Sequence, residues 1–365
     1  MKIITFYLPQ FHEIRENNEW WGKGFTEWEN VKNAKSFFKG HNQPRIPYNN
    51  NYYDLSNIQI MIEQSKLAKK YGIYGFCYYH YWFNGKKLLE KPLEQMLDTP
   101  EVDIPFCLCW ANETWTRTWA DNNKTVLIEQ TYGNEEIWRN HFNYLLNFFK
   151  DKRYIKNDGK PLLVIYRPYN IEKCKEMLSL WQQLAKENGL PGISFAYQDR
   201  KYNHLTDKAG EMFDFGIEYQ PQIAMDEEQH TIPIILNRIM NVIANKYPIL
   251  KFKSTYMTLD YDKLWKRVIN KTPIDNKMIP GAFVDWDNTP RYKNRGSIIT
   301  GITPEKFKKY LSIQIKRAKD VYNKNMLFLF AWNEWGEGGY LEPDTKNGYK
   351  MLEAIKEALE ENEKN

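Results

Sequence analysis

Two glutamates separated by two residues stand near the C-terminal end of the chain, in Asn333-Glu334-Trp335-Gly336-Glu337-Gly338. Carboxyl groups held that close compete for a proton, so one can act as a base while the other stays a protonated acid near neutral pH. Such a pair is the equipment for breaking a glycosidic bond. An E-x-x-E pattern by itself is also a common solvated helix start. This one follows the apolar run 326–331 (MLFLFA) directly and is flanked by Trp332, Trp335 and glycines.

Other short apolar runs end in a similar way. After 3–8 comes Pro9-Gln10-Phe11-His12; after 73–79, His80-Tyr81-Trp82; after 104–109, Trp110-Ala111-Asn112-Glu113. After 161–166 comes Arg167-Pro168; after 193–197, Gln198-Asp199; after 214–219, Gln220-Pro221; after 278–284, Asp285-Trp286-Asp287-Asn288. Aromatic faces suit the C–H surfaces of sugars, and carboxylates, amides and arginine suit their hydroxyls. The residues read as candidates for holding a saccharide are Tyr7, His80, Tyr81, Trp82, Trp110, Asn112, Glu113, Arg117, Arg167, Asp285, Trp286, Asp287, Asn333, Trp335 and Tyr340. Blander readings stand beside these. The Trp110–Trp119 segment equally reads as a loop packed on a rim, His80 as a hydrogen-bonded core imidazole, and Glu27 in Gly24-Phe25-Thr26-Glu27-Trp28 as a helix cap. If their strand continues, Asp285 and Asp287 point oppositely, so only one of them faces a site. His41, His141, His204 and His230 are scattered and read as structural. A metallohydrolase needs several histidines at strand ends, where only His12 and His80 stand, and no metal or cofactor is expected.

What must position these residues is a set of eight short, mostly non-alternating apolar runs, the pattern of strands buried on both faces. Helical periodicity lies between them, clearest over 134–151, 171–188 and 304–323, where Thr303-Pro304 makes a start signal. Weaker patterns cover 57–70, 87–98, 230–246 and 348–363, and the weakest lies near 203–212. Eight strands alternating with about eight helices predict a (β/α)8 barrel, a single α/β domain over 1–365 with long βα loops. A doubly wound open sheet is the runner-up, weakened because Pro9-Gln10-Phe11 stands where a glycine-rich phosphate loop would follow the first strand. The long connections 9–56 and 220–277 stand out, and in a barrel the first would wall the catalytic face.

The chain has 365 residues, and 57 of them are aromatic (13 Trp, 25 Tyr and 19 Phe). Many fall at strand ends or in the first long loop, at Trp20, Trp21, Trp28, Tyr81, Trp82, Trp110, Trp115, Trp119, Trp286, Trp332, Trp335 and Tyr340. There, gripping a sugar is the expected demand rather than core packing. A net charge of +5, with both signs interleaved, does not favour nucleic acid. No apolar stretch approaches the ~20 residues needed to cross a bilayer. The N-terminal apolar run is too short for a secretion signal, and Cys77, Cys107, Cys109 and Cys174 read as reduced core thiols, so a cytoplasmic setting is the simplest expectation.

The stretches GFTEW (24–28), YYHYWF (78–83), WANETWTR (110–117), IYRP (165–168) and NEWGEGGYLEPD (333–344) resemble, in order and over essentially the whole chain, the WbsX family of polysaccharide-cluster proteins. That family carries a glycosyltransferase label and is related to glycoside hydrolase family 99, the endo-α-1,2-mannosidases and mannanases. The resemblance implies a (β/α)8 barrel. It also implies that Glu334 is a base removing the proton of a sugar 2-hydroxyl, which attacks its own anomeric carbon to give a 1,2-anhydro sugar. Glu337 would be the acid that protonates the leaving oxygen. The spacing alone would equally suit an inverting hydrolase. Upstream motifs match WbsX more closely than family 99, which leaves mannose specificity open. Three functions compete: a retaining hydrolase of a bacterial surface or capsular polysaccharide, a glycosyltransferase of O-antigen or capsule assembly, and a non-catalytic carbohydrate-binding protein. For a transferase, Asp285-Trp286-Asp287, with Arg291 and Arg295 nearby, reads as a metal–diphosphate pattern.

Overall fold

Each of the eight apolar runs forms a strand, and nearly every residue in them is buried, as strands covered on both faces require. The computed structural model describes residues 1–117, 125–200, 210–228 and 256–364. The strands are β1 (Lys2–Tyr7), β2 (Gly75–Phe83), β3 (Phe106–Trp110), β4 (Lys160–Ile165), β5 (Ser194–Asp199), β6 (Phe215–Glu218), β7 (Met278–Ile279 and Gly281–Phe283) and β8 (Met326–Phe330). Each pairs in parallel with its sequence neighbour from β1 to β6, and β1 also pairs with β8 through Lys2↔Met326 to Thr5↔Leu329. β7 completes the ring in two pieces. Its first half pairs with β6 (Gly216↔Met278) and its second with β8 (Gly281↔Phe328). Pro280 lies between them and has no N–H for a ladder. The sheet therefore closes on itself as a (β/α)8 barrel, and the open-sheet alternative falls.

The clear helical patterns become Glu135–Phe149, Cys174–Glu187 and Pro304–Asp320. Two of these helices have side-chain caps: Asn134 accepts from the Ile137 N–H, and Thr303 from the Lys306 N–H. The weaker patterns yield Ile58–Lys70, Lys91–Asp98 and Lys350–Glu363. The second starts later than expected, because Lys86–Leu88 pairs back antiparallel on the end of β2. The helix expected over 230–246 lies outside the described residues, as do 203–209 of the weakest one, and Gly210–Met212 is a single 3-10 turn. The four cysteines are buried and free. Among the described residues no helix is long and apolar enough to cross a membrane.

Alternation along the strands sorts side chains to two faces. Phe6, Tyr79, Tyr219 and Phe328 meet inside the ring, with centroids 5.6 to 5.9 Å from Phe6. Tyr7 points the other way, and its hydroxyl donates to Gln64 on the helix Ile58–Lys70 at 2.6 Å.

Candidate active site

At the C-terminal mouth of the barrel the strand ends enclose a cavity of about 310 Å³. Leu8 and Gln10 come from the end of β1, Tyr79 and Tyr81 from β2, Glu113 and Trp115 from beyond β3, and Tyr166 and Tyr219 from the ends of β4 and β6. Trp21 and Phe25 from the first long loop form part of the wall, as expected of that loop. Glu334 and Glu337 arrive from β8, and Arg291 and Tyr292 from the short helix Thr289–Tyr292 that follows β7.

The two glutamates sit on a tight hairpin. Asn333 and Glu334 pair antiparallel with Tyr340 and Gly339, and Trp335–Glu337 makes the turn. Gly338 closes it in a left-handed conformation (φ +69°) that suits glycine, and a Cβ there would come 2.7 Å from the Asp287 backbone nitrogen. The Asn333 side chain fixes the hairpin to β1, accepting from the Leu8 N–H at 2.7 Å and donating to the Leu8 carbonyl at 3.0 Å. Trp335 stacks on Tyr340 with centroids 3.7 Å apart, and its Nε1–H donates to the buried Glu342 at 2.7 Å. From the far side, the Asp287 N–H donates to the Glu337 carbonyl at 2.7 Å.

Arg291 stands at the centre of the charge arrangement. Its Nε donates to Glu27 Oε1 at 2.7 Å, Nη1 lies 2.8 Å from Glu337 Oε1, and Nη2 lies 3.3 Å from Glu334 Oε2. Three carboxylates share one guanidinium, so full ionisation would leave two unbalanced negative charges in a site largely closed to water. The arrangement therefore disfavours ionising both Glu334 and Glu337. Burial pushes Glu334 up to about 8; Arg291 opposes this, while Glu337 and Glu27 add to it. Glu337 is also raised by burial against the pull of Arg291, and its side chain is more exposed than that of Glu334, 19% against 6%. Gly336 must lack a side chain, since a Cβ there would overlap Glu27 Oε1 and come 2.9 Å from Arg291 Nε. The GFTEW and NEWGEG motifs are thus two halves of one packed unit.

Of the residues singled out in sequence, the cavity brings together Glu334, Glu337, Tyr81 and Glu113, with Trp21 and Trp115 from the strand-end and loop aromatics. Glu113 pairs with Arg167, whose guanidinium lies 5.1 Å from the Tyr166 ring centroid. Asn112 sits behind them, accepting from the Arg167 N–H at 2.7 Å. Arg117 packs over Trp21, 5.4 Å from its centroid. Asn333 and Trp335 act from beneath, through the hairpin, and Tyr340 as the stacking partner of Trp335.

The other candidates lie elsewhere. Tyr7, His80, Trp82 and Trp110 all face the helical layer. His80 Nε2 lies 2.9 Å from His141 Nε2, Trp82 stacks on the His141 ring at 4.5 Å, and Trp110 meets it edge-on at 4.7 Å. Burial, and then Lys87, lower His80 to about 3, so the imidazole is neutral. β7 ends before Asp285 and Asp287, so they do not point oppositely; Arg45 Nη1 lies 2.9 Å from Asp285 and Nη2 lies 3.7 Å from Asp287. Burial disfavours the charge on Asp287, but bonds from His41, Thr289 and Gln43 and the charge of Arg45 outweigh this and hold it at about 2. Trp286 is buried against Phe330. The expectation that strand-end aromatics mainly grip ligand is corrected in the same way. Trp28, Trp82, Trp110, Trp286, Trp332, Trp335 and Tyr340 are buried core, while Trp21, Tyr81 and Trp115 line the cavity. Trp119 lies outside the described residues, as do His204 and His230.

In sequence Arg291 stands out only as a neighbour of Asp285-Trp286-Asp287, and nothing marks the pocket tyrosines Tyr79, Tyr166, Tyr219 and Tyr292. The tyrosines sit within or beside the apolar runs and carry a signal only once strand parity is known.

The architecture has close counterparts among solved structures. A GH99 endo-alpha-mannosidase from Bacteroides thetaiotaomicron, in complex with Bis-tris-propane, superposes with a TM-score of 0.60 over 99% of this chain and 97% of its own, at 14% identity. A glycoside hydrolase-like protein gives 0.60 over 98% and 93%, at 13% identity. At such identity the likeness establishes the fold. In sequence, the uncharacterized protein WxcX of two strains of Xanthomonas campestris pv. campestris is 35% identical over 359 residues. That alignment takes in 98% of this chain and 49% of WxcX, so the chain spans about half the length of these relatives. Residues 3–355 match the family described as Glycosyltransferase WbsX, and the chain belongs to that family.

Proposed function

We propose that the barrel cleaves glycosidic bonds of a bacterial surface polysaccharide with retention of configuration. The observation that carries this reading is Glu334 and Glu337 bracketing one guanidinium in an aromatic-walled cavity at the barrel mouth. In the scheme, O2 of the sugar forms a bond to its own C1 as the bond from C1 to the leaving oxygen breaks. The O2 proton passes to Glu334, and the Glu337 proton goes to the leaving oxygen. Water then opens the 1,2-anhydro ring at C1, giving its proton to Glu337 while Glu334 returns one to O2. Burial raises both carboxyls, so the pair can share one proton near neutral pH, and the scheme requires that proton to stand on Glu337 and leave Glu334 ionised when the sugar binds. The greater exposure of Glu337 suits the residue that must later meet water. The pocket tyrosines and Trp115 offer faces and hydroxyls to the sugar.

The family description favours a second reading, transfer from a nucleotide sugar. Against it, the Asp285-Trp286-Asp287 pattern that would hold a metal–diphosphate is already engaged by Arg45, His41, Gln43 and Thr289. Incubation with surface polysaccharide from the source organism separates the two. Hydrolysis predicts released oligosaccharides whose first-formed anomer, read by proton NMR, keeps the configuration of the cleaved bond. No release, together with thermal stabilisation by a nucleotide sugar, would overturn the reading.

A further inference from the structure

The wall made by Trp21 and Phe25 has two sides. Their rings are 5.7 Å apart and inclined by 29°, and they border the cavity on one side and an open trough of about 1090 Å³ on the other. The trough runs between residues 21–37 and 289–294. Its borders carry Lys23, Lys35 and Lys293, all exposed, against the single carboxylate of Glu29, a net of three minus one, or +2. None of these three ammonium groups forms an ion pair among the described residues. Some lysines elsewhere on the molecule do pair: Lys308 with Glu357 and Glu361, Lys69 with Asp103, Lys306 with Asp262. The helix Thr289–Tyr292 links the two spaces, sending Arg291 inward to the carboxylates and running straight into Lys293 on the trough.

We propose that the trough extends the saccharide site to sugar residues carrying negative charge, so that the substrate is an acidic polysaccharide. The proposal rests on reading the cavity as a glycosidase site. A chain threaded through the cavity continues past Trp21 and Phe25, which offer stacking faces, and meets Lys23, Lys35 and Lys293, which form no ion pair among the described residues. The anion is a uronate carboxylate or a phosphodiester, which present the same chemistry to a lysine. Each partly exposed contact is worth about two- to fivefold in affinity, so three together contribute about tenfold or more, and salt screens them.

The test measures binding of the source organism's surface polysaccharide to the slow variant Glu337→Gln by affinity electrophoresis. The polymer is used native, after carboxyl reduction, and after phosphodiester removal with hydrofluoric acid. One of the two treatments should weaken binding about tenfold, which identifies the anion. Adding Lys23→Gln, Lys35→Gln and Lys293→Gln should cause the same loss on native polymer and none on the neutralised one, with the thermal midpoint unchanged. Equal binding of all three polymers, or a triple variant that binds native polymer as tightly as its parent, overturns the proposal. The two readings fail separately. Charge-dependent binding without release of oligosaccharide by the unsubstituted enzyme removes the hydrolase and leaves the trough, whereas equal cleavage of native and neutralised polymer removes the trough and leaves the hydrolase.

Discussion

Replacing Arg291 with glutamine removes the one cation shared by Glu27, Glu334 and Glu337, at 2.7, 3.3 and 2.8 Å. Deleting one partner of a buried ion pair costs about 3–5 kcal/mol when the other stays charged. Here three carboxyls are left, but they can escape by binding protons, each unit of raised pKa costing about 1.4 kcal/mol above it. The sign follows from linkage. A carboxyl whose folded pKa exceeds its unfolded value contributes fully below the unfolded pKa, and that stability is lost as pH rises through the folded one. Glu334, at about 8, behaves in this sense in the unsubstituted protein, and the variant has it more strongly. Urea unfolding of both proteins should show a penalty of about 1 kcal/mol near pH 5, widening to about 3–5 kcal/mol near pH 9. A penalty that is the same at both pH values would refute the reasoning, since Arg291 would then act by packing alone.

Three further outcomes follow from the same geometry. Gly336→Ala should drive the Glu27 carboxylate off Arg291, costing about 1–3 kcal/mol of stability and about tenfold or more in kcat/KM; normal kinetics would show the Glu27–Arg291 contact to be idle. Strand parity predicts that Trp82→Phe and His80→Gln lower the unfolding midpoint without changing KM, while Tyr81→Phe and Trp115→Ala raise KM with little change in stability; the reverse pattern would place β2 in the wrong register. In a pH profile, kcat/KM should fall above about 8 as the glutamate pair gives up its last proton, and fall again in acid once both carboxyls are protonated. A profile flat through 8 would contradict the burial of the pair.

The barrel was legible because parallel strands covered on both faces must be apolar throughout, and eight such runs punctuated by helical periods leave few closures. The same property hides which residues face the cavity. In YYHYWF every residue is buried, so no polar alternation marks Tyr79 and Tyr81 as inward and Tyr78, His80 and Trp82 as outward. A shift of one residue exchanges the two sets, and for the same reason strand-end aromatics look like ligand contacts in sequence when most are core. Glu334 and Glu337 could be found because a tight hairpin at a strand end keeps sequence neighbours together in space. Arg291 lies 43 residues from Glu334 and 264 from Glu27, and no local pattern announces a contact of that span. Asp285 and Asp287 resembled a metal motif in sequence, but Arg45, from a loop some 240 residues earlier, supplies the charge that balances them.

The central claim is that Glu334 and Glu337 share acid–base work on a glycosidic bond, and variant kinetics test it most directly. The kcat/KM of Glu334→Gln and Glu337→Gln would be measured on the polysaccharide and on an aryl glycoside of the released oligosaccharide, with urea unfolding as a check on folding. Both variants should lose about 10²-fold or more on the polysaccharide. On the aryl glycoside, whose leaving group needs no proton, Glu337→Gln should regain most of its rate and Glu334→Gln should not. Rescue of Glu334→Gln in its place would exchange the two roles, and near-normal turnover of the polysaccharide by either folded variant would contradict the account.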